Sequence, residues 1–229
     1  MPRVSLRFHG DLVQLLTRGR RRLVAIAAPE GATVGAIIED LGIPHTEIGE
    51  VTVDGERRPL SWKPRDGDAL TVHPAGPTSA SEASSPTFVL DVHLGRLARL
   101  LRLLGFDAAW SSDTSDADLA AAAAYEGRIL LSRDRGLLKR REVRCGCLVR
   151  SQDSRRQLDE VVARYRLRTR MSPFSRCLVC NSILARSTDA PTGQPFAATG
   201  WCPSCGRRYW RGSHWEALAA IVEHIRGGG

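Results

Sequence analysis

The chain has 229 residues, 42% apolar and 25% charged, a composition that allows one large or two small hydrophobic cores and excludes a disordered or fibrous polymer. No run approaches the roughly 18 apolar residues of a membrane helix, and Met1 to Ser5 leads straight into an alternating pattern without a secretory leader, so a cytoplasmic chain with no membrane partner is expected. The net charge of +8 is uneven: residues 1–85 hold 10 Lys and Arg against 11 Asp and Glu, residues 86–170 hold 17 against 11, and residues 171–229 hold 6 against 3. The basic surplus therefore sits in the region richest in candidate metal-binding acids. That balance suits a polyanion gripped by guanidiniums and handled through bound cations, although a solvated arginine face has the same composition.

Residues 3–8 alternate polar and apolar, and Arg22 to Ile26 reads as a second strand, so the chain opens on a hairpin. Thr33 is placed to cap a helix running to Leu41 with Val34, Ile37, Ile38 and Leu41 on one face. Glu50 to Val53 enters a tight Asp54-Gly55 turn, and Leu70 to Pro74 follows Arg65-Asp66-Gly67-Asp68 as a last strand. The order ββαββ describes a small β-grasp unit over residues 1–76. With its Gly67-Asp68 pair, this stretch resembles the ubiquitin-like sulfur carriers of the ThiS/MoaD type. It departs from them where their chemistry sits, since Pro74-Ala75-Gly76-Pro77 continues where those carriers end in a free Gly-Gly. Sulfur transfer is not expected; a docking piece for a protein partner is a further option. The closing Gly227-Gly228-Gly229 reads as a frayed tail.

Residues 77–86 are small and polar, as in a linker. From Phe88 the pattern alternates strand and helix through residue 170, which predicts a three-layer α/β domain with a parallel sheet. The helix His93 to Leu104 carries Leu94, Leu97, Leu101 and Leu104 on one face, with Arg96, Arg99 and Arg102 on the other. Asp116 to Tyr125 is an alanine-rich helix, and Ile129 to Ser132 is a short, mostly apolar strand before Arg133-Asp134.

Two of these strands deliver a carboxylate at the tip: Phe88-Val89-Leu90-Asp91, and Ile129 to Ser132 followed by Asp134. Phosphodiester hydrolysis near neutral pH needs a hydroxide nucleophile and a stabiliser of charge on phosphorus, and divalent metals supply both. Magnesium or manganese needs oxygen ligands, which Asp91, Asp134 and Asp116 offer at the carboxyl edge of a parallel sheet, with Asp118 in reserve. Helix capping by Asp91, Asp116 or Asp118, and an ordinary turn at Asp134-Arg135-Gly136, compete with ligation. Arg96, Arg99, Arg133, Arg135, Lys139 and Arg140 flank this edge and could hold phosphates.

The stretches Phe88 to Arg99, Leu103 to Asp107, Asp116 to Leu119 and Ile129 to Leu138 together resemble the Mut-seven C-terminal RNase domain family, PIN-like ribonucleases with an appended zinc ribbon, over residues 87–215. The resemblance implies a PIN-like fold and metal-dependent RNA cleavage leaving a 5′-phosphate. Asp91, Asp116 and Asp134 match its acidic positions, and Asp107, Asp113 or Asp118 is open as a fourth. The RNA class (tRNA, rRNA or mRNA) is unresolved. A noncatalytic RNA- or ribosome-binding protein, acting through the ribbon and its arginines, is the competing expectation.

In residues 171–229, Cys177-Leu178-Val179-Cys180 and Cys202-Pro203-Ser204-Cys205 form two knuckles separated by 21 residues. That spacing suits tetrahedral structural zinc rather than a redox pair. Cys145 and Cys147 are expected as core or free thiols. Arg207 to Trp215 mixes arginines with aromatics; it could stack unpaired bases, or pack the ribbon against the α/β domain.

Overall fold

The structure, a computed structural model, describes residues 1–17, 19, 21–76, 85–185, 198–210 and 212–228. Residues 77–84 of the expected linker, Arg211 of the aromatic tract and Gly229 lie outside the described residues.

The first unit comprises β1 (Arg3–Phe8), β2 (Leu23–Ala27), α1 (Val34–Asp40), β3 (Ile48–Val53), a short β4 (Glu56–Arg57) and β5 (Ala69–Pro74). Alternation builds β1, whose Val4, Leu6 and Phe8 are buried beneath α1 while Arg3 and Arg7 face out. Thr33 caps α1 by accepting the Ala36 amide at 3.3 Å, and Val34, Ile37 and Ile38 supply its buried stripe. Asp54 and Gly55, both at positive φ (51° and 83°), make the tight turn between β3 and β4. The sheet order is β2-β1-β5-β3-β4, with β1 and β5 parallel at its centre, which is the β-grasp arrangement.

The second unit runs β6 (Phe88–Leu90), α2 (Gly95–Leu103), β7 (Ala108–Trp110), α3 (Asp116–Glu126), β8 (Ile129–Ser132), α4 (Arg135–Leu138), β9 (Gly146–Leu148) and α5 (Ser154–Tyr165). Its sheet is wholly parallel in the order β7-β6-β8-β9. Every residue of β6, β8 and β9 is buried because both sheet faces are covered. On one face α2, α5 and a last helix, α6 (Ser213–Gly227), enclose Phe88, Leu101, Val161 and Ile221. On the other, Val89, Leu130, Leu138 and Leu148 share one continuous core with Leu12, Ile38 and Ile43 of the first unit.

That shared core joins the β-grasp unit to the α/β domain. The β-grasp unit covers part of the α/β domain's second face, and polar bonds pin the seam. Glu47, only 4% exposed, accepts the Leu148 amide at 2.7 Å and pairs with Arg164 at 2.6 Å. The two ring nitrogens of His45 face Glu39 at 2.7 Å and the Val143 carbonyl at 2.8 Å. Removing residues 1–78 would uncover apolar surface rather than release a module.

A hairpin of β10 (Ala198–Trp201) and β11 (Arg208–Trp210) follows the second unit. Here the predicted solvent face of α2 is corrected. Arg102 is 3% exposed, because its guanidinium bonds the Ala108 carbonyl (2.9 Å) and the Leu178 and Val179 carbonyls (3.2 and 2.8 Å) of the first cysteine knuckle. Burial pulls the Arg102 pKa down, against the neighbouring Cys177 and Cys180 sulfurs. The tail is also better held than expected: Gly228 ends α6 in a left-handed cap, its carbonyl bound by Arg168 at 2.7 Å. Among the described residues no helix is long and apolar enough to cross a membrane.

Candidate active site and metal centres

The parallel sheet presents the ends of β6, β7 and β8 along one edge. The register pairs Leu90 with Leu131, so Asp91 stands across from Ser132 and just before Asp134 in space. Asp91 is 5% exposed and Ser132 fully buried. The Ser132 hydroxyl donates to Asp91 Oδ2 at 2.8 Å and accepts the Asp134 amide at 2.9 Å, so one side chain ties the two strand ends together. Asp91 also accepts the His93 amide, at a long 3.4 Å, in a single helical turn. Among the described residues no cation pairs with Asp91.

Asp134 is exposed; one of its oxygens caps α4 through the Gly136 amide at 2.6 Å. Capping takes one oxygen of Asp134; the second has no hydrogen bond among the described residues and is open to a further partner. Asp116 opens α3 and is exposed. Asp118 instead joins the cap, accepting the Ser115 hydroxyl at 2.6 Å while its amide returns to Ser115 Oγ at 3.2 Å. Asp91, Asp116 and Asp134 share an edge, but they are not drawn into a tight set: among the described residues the group of donors lying within 4.8 Å of one another is the four cysteines.

Asp107 lies at the opposite edge, where β7 begins, bound by Arg128 (2.6 Å), Asn181 (2.8 Å) and Arg176 (3.5 Å). Burial alone would raise its pKa; the hydrogen bonds from Arg128 and Asn181 and the two guanidinium charges outweigh that and hold it below the ordinary 3.8. Its partners make it a brace between sheet and ribbon.

A cleft of about 420 Å³ opens beside Asp91, lined by His93, Arg96, Arg99, Trp110, Arg133 and Gln152 among others. Arg96, Arg99 and Arg133 are exposed and have no ion-pair partner among the described residues, so their charges face solvent. Trp110 is anchored by donating to the Val92 carbonyl at 3.1 Å, and its ring passes so close to Gly95 that a Cβ there would lie 2.6 Å away. The other basic residues have different places. Arg135 bonds the Leu15 and Gly42 carbonyls at 2.6 and 3.1 Å, and Lys139 bonds the Glu39 carbonyl, so both lie on the β-grasp seam. Arg140 is exposed beside Glu142 at 3.9 Å.

Sequence reasoning missed Ser132 and Arg102. A hydroxyl closing the apolar run Ile129-Leu130-Leu131 was a usable signal, because a buried polar side chain must find a partner. Arg102 carried none, since the ribbon that buries it lies some 76 residues away in sequence.

At the ribbon, Cys177, Cys180, Cys202 and Cys205 converge with all four sulfurs within 4.8 Å. Cys177 to Cys205 is 3.6 Å and Cys180 to Cys202 is 3.3 Å. Ligands about 2.3 Å from a tetrahedral zinc lie about 3.8 Å apart, so the donor set fits zinc in kind and spacing. The Tyr209 hydroxyl lies 3.1 Å from Cys177 Sγ and accepts the Leu178 amide at 3.0 Å, orienting that ligand. Hydrogen bonding with Ser182 lowers the Cys180 pKa to about 6. For Cys205 the Arg207 amide lowers the pKa, but burial and the three neighbouring sulfurs push it up to about 12. Four thiols so close cannot all ionise without a cation among them. Cys145 is half-buried and Cys147 buried in the sheet, where burial pushes the Cys147 thiol up to about 12.

Fold and sites thus define a class: a β-grasp unit fused to a parallel α/β domain with carboxylates at one strand edge and a four-cysteine cluster compatible with a zinc ribbon. The model of the Mut7-C RNAse domain matches residues 86–222, and that of the Mut7-C ubiquitin domain matches residues 1–79. The chain belongs to the Mut7-C RNAse domain family. No curated protein matches it. Among solved structures, small archaeal modifier protein 1 of Haloferax volcanii is 21% identical over 32% of this chain and 98% of its own, with a TM-score of 0.27. A putative molybdopterin converting factor subunit 1 from Pyrococcus furiosus is 21% identical over the same shares, with a TM-score of 0.26.

Proposed function

We propose that this chain is a metal-dependent ribonuclease with a PIN-like α/β domain, hydrolysing RNA phosphodiester bonds at the carboxyl edge of β6 and β8. The observation that carries the reading is Asp91. A nearly buried carboxylate with no cation partner is costly unless a cation joins it, and the neighbouring donors at that edge are hard oxygens suited to magnesium or manganese. Asp91, Asp134 and Asp116 would hold the ion; Asp118, engaged in its helix cap, is the weaker candidate. A divalent cation held there polarises a phosphoryl oxygen and acidifies water.

The remaining work falls to the chain. Ser132 orients Asp91 and fixes the Asp134 backbone beside it. Arg96, Arg99 and Arg133 bind phosphates on the cleft wall, where unpaired guanidiniums match phosphate geometry. Zinc at the four cysteines is structural. The functional division is residues 1–76, 87–170 and 171–229, and a protein partner would meet the β-grasp unit along the open edge of β2, where Leu23 is 53% exposed.

The test is cleavage of single-stranded RNA with manganese by the full chain. Cleavage should vanish in Asp134→Asn while RNA binding persists. A wild type that binds RNA but never cuts it would instead favour the noncatalytic RNA- or ribosome-binding reading, to which the exposed, separated positions of Asp116 and Asp118 lend some weight.

A further inference from the structure

We propose that an aromatic cavity on the ribbon seats one unpaired nucleobase of the RNA, a few nucleotides from the bond that is cut; the inference rests on RNA being the substrate. The cavity measures about 280 Å³ and is lined by Phe174, Tyr209, Trp210, Trp215, Arg208 and His214 among others. Its floor is rigid. Phe174 and Trp215 stack at 4.1 Å with their planes 22° apart. Phe174 holds a left-handed φ of 60°, which bulky residues rarely adopt, and its amide is pinned to the Leu103 carbonyl at 2.9 Å. Trp210 is 57% exposed and lies against Gly212, where a Cβ would stand 2.8 Å from the indole nitrogen.

A large exposed indole beside an apolar slot calls for an occupant, and the surroundings select its chemistry. Arg208 is exposed in the cavity's lining and Arg207, next to it in sequence, is exposed too, so the ligand combines a flat apolar face with negative charge. An unpaired base on a phosphate backbone has both properties, and aromatic stacking accepts any base.

Placement supplies the link to the cleft. Helix α2 begins at Gly95 and Arg96 in the cleft and approaches the ribbon at Arg102, which grips the Leu178 and Val179 carbonyls. Its nine residues span about 14 Å at the rise of an α-helix, with Arg96 and Arg99 exposed along the way. A single strand leaving the cleft along α2 reaches the aromatic cavity within a few nucleotides.

The experiment compares binding of a fluorescein-labelled single-stranded oligoribonucleotide with that of a blunt duplex of equal length, using the zinc-loaded full chain carrying Asp134→Asn. Adding Trp210→Ala should weaken single-strand binding by roughly 5- to 100-fold, the range expected for one lost stack, and leave duplex binding unchanged. Adding Trp210→Phe instead should retain most of the affinity. Equal losses on both RNAs, or unchanged single-strand binding with zinc content intact, would overturn the inference. Cleavage by the chain with Asp134 intact is scored separately. Manganese-dependent cutting with Trp210-independent binding rejects the cavity and spares the nuclease; Trp210-dependent binding without any cutting rejects the nuclease and spares the cavity.

Discussion

The cysteine cluster is spaced to hold a metal ion and the aspartate edge is the proposed seat of another, and the chain builds them in opposite ways. The four sulfurs come from two tight knuckles and stand within 4.8 Å of one another. The three aspartates come from the ends of two neighbouring strands and the start of a helix, and only Asp91 is buried. A structural ion must close its coordination sphere and hold a small hairpin together, so its ligands converge. An ion that meets substrate needs open positions and an approach path, and the proposed ligands accordingly line an edge beside a basic cleft.

Zinc removal tests the first half of that contrast and should have the largest effect. Structural zinc binds with apparent energies of roughly 10–16 kcal/mol, so a strong chelator at neutral pH should take one zinc per chain and melt the ribbon. Metal analysis and circular dichroism follow this together; an unchanged spectrum after zinc loss would contradict a metal-closed ribbon. Arg102→Met separates cohesion of the ribbon from its docking. It leaves the zinc ligands intact but abandons three buried carbonyl contacts, at about 3 kcal/mol or more in urea unfolding, with zinc content retained.

Ser132→Ala probes the aspartate edge without touching a proposed ligand. Losing the hydroxyl that orients Asp91 should reduce cleavage roughly 10- to 100-fold, the usual effect of an outer-shell partner, with partial recovery at higher manganese. Unaltered manganese dependence would place Asp91 outside the metal site. The smallest effect concerns the brace at Asp107. Its folded pKa is depressed, so its stabilisation is fully present above the ordinary carboxylate value of 3.8 and is lost as pH falls below it. Asp107→Asn should therefore lower stability at pH 7 and flatten its dependence as pH falls below about 4, as measured by unfolding midpoints down through that range.

Much of this was readable locally. Thr33 before an apolar stripe, Asp54-Gly55 between strands and the mostly apolar strands ending near Asp91 and Asp134 each carried a short-range reason for its conformation. Residues whose partners lie far along the chain were misread. Arg102 fits the periodicity of an exposed helix face, and Arg135 and Lys139 sit where arginines and lysines usually meet solvent. The ribbon claims the first and the β-grasp seam the other two. Asp118, held in reserve behind Asp116, is the one that the Ser115 cap engages.

By itself the sequence determined most element types, the four-cysteine cluster and the family, because periodicity, turn chemistry and knuckle spacing act over a few residues. The tertiary structure alone decided that the β-grasp unit shares its core with the α/β domain, that Asp91 is buried against Ser132 without a cation, and which arginines keep their charge free. Those outcomes depend on which surfaces meet, and burial and pairing are properties of the assembled packing rather than of any local segment.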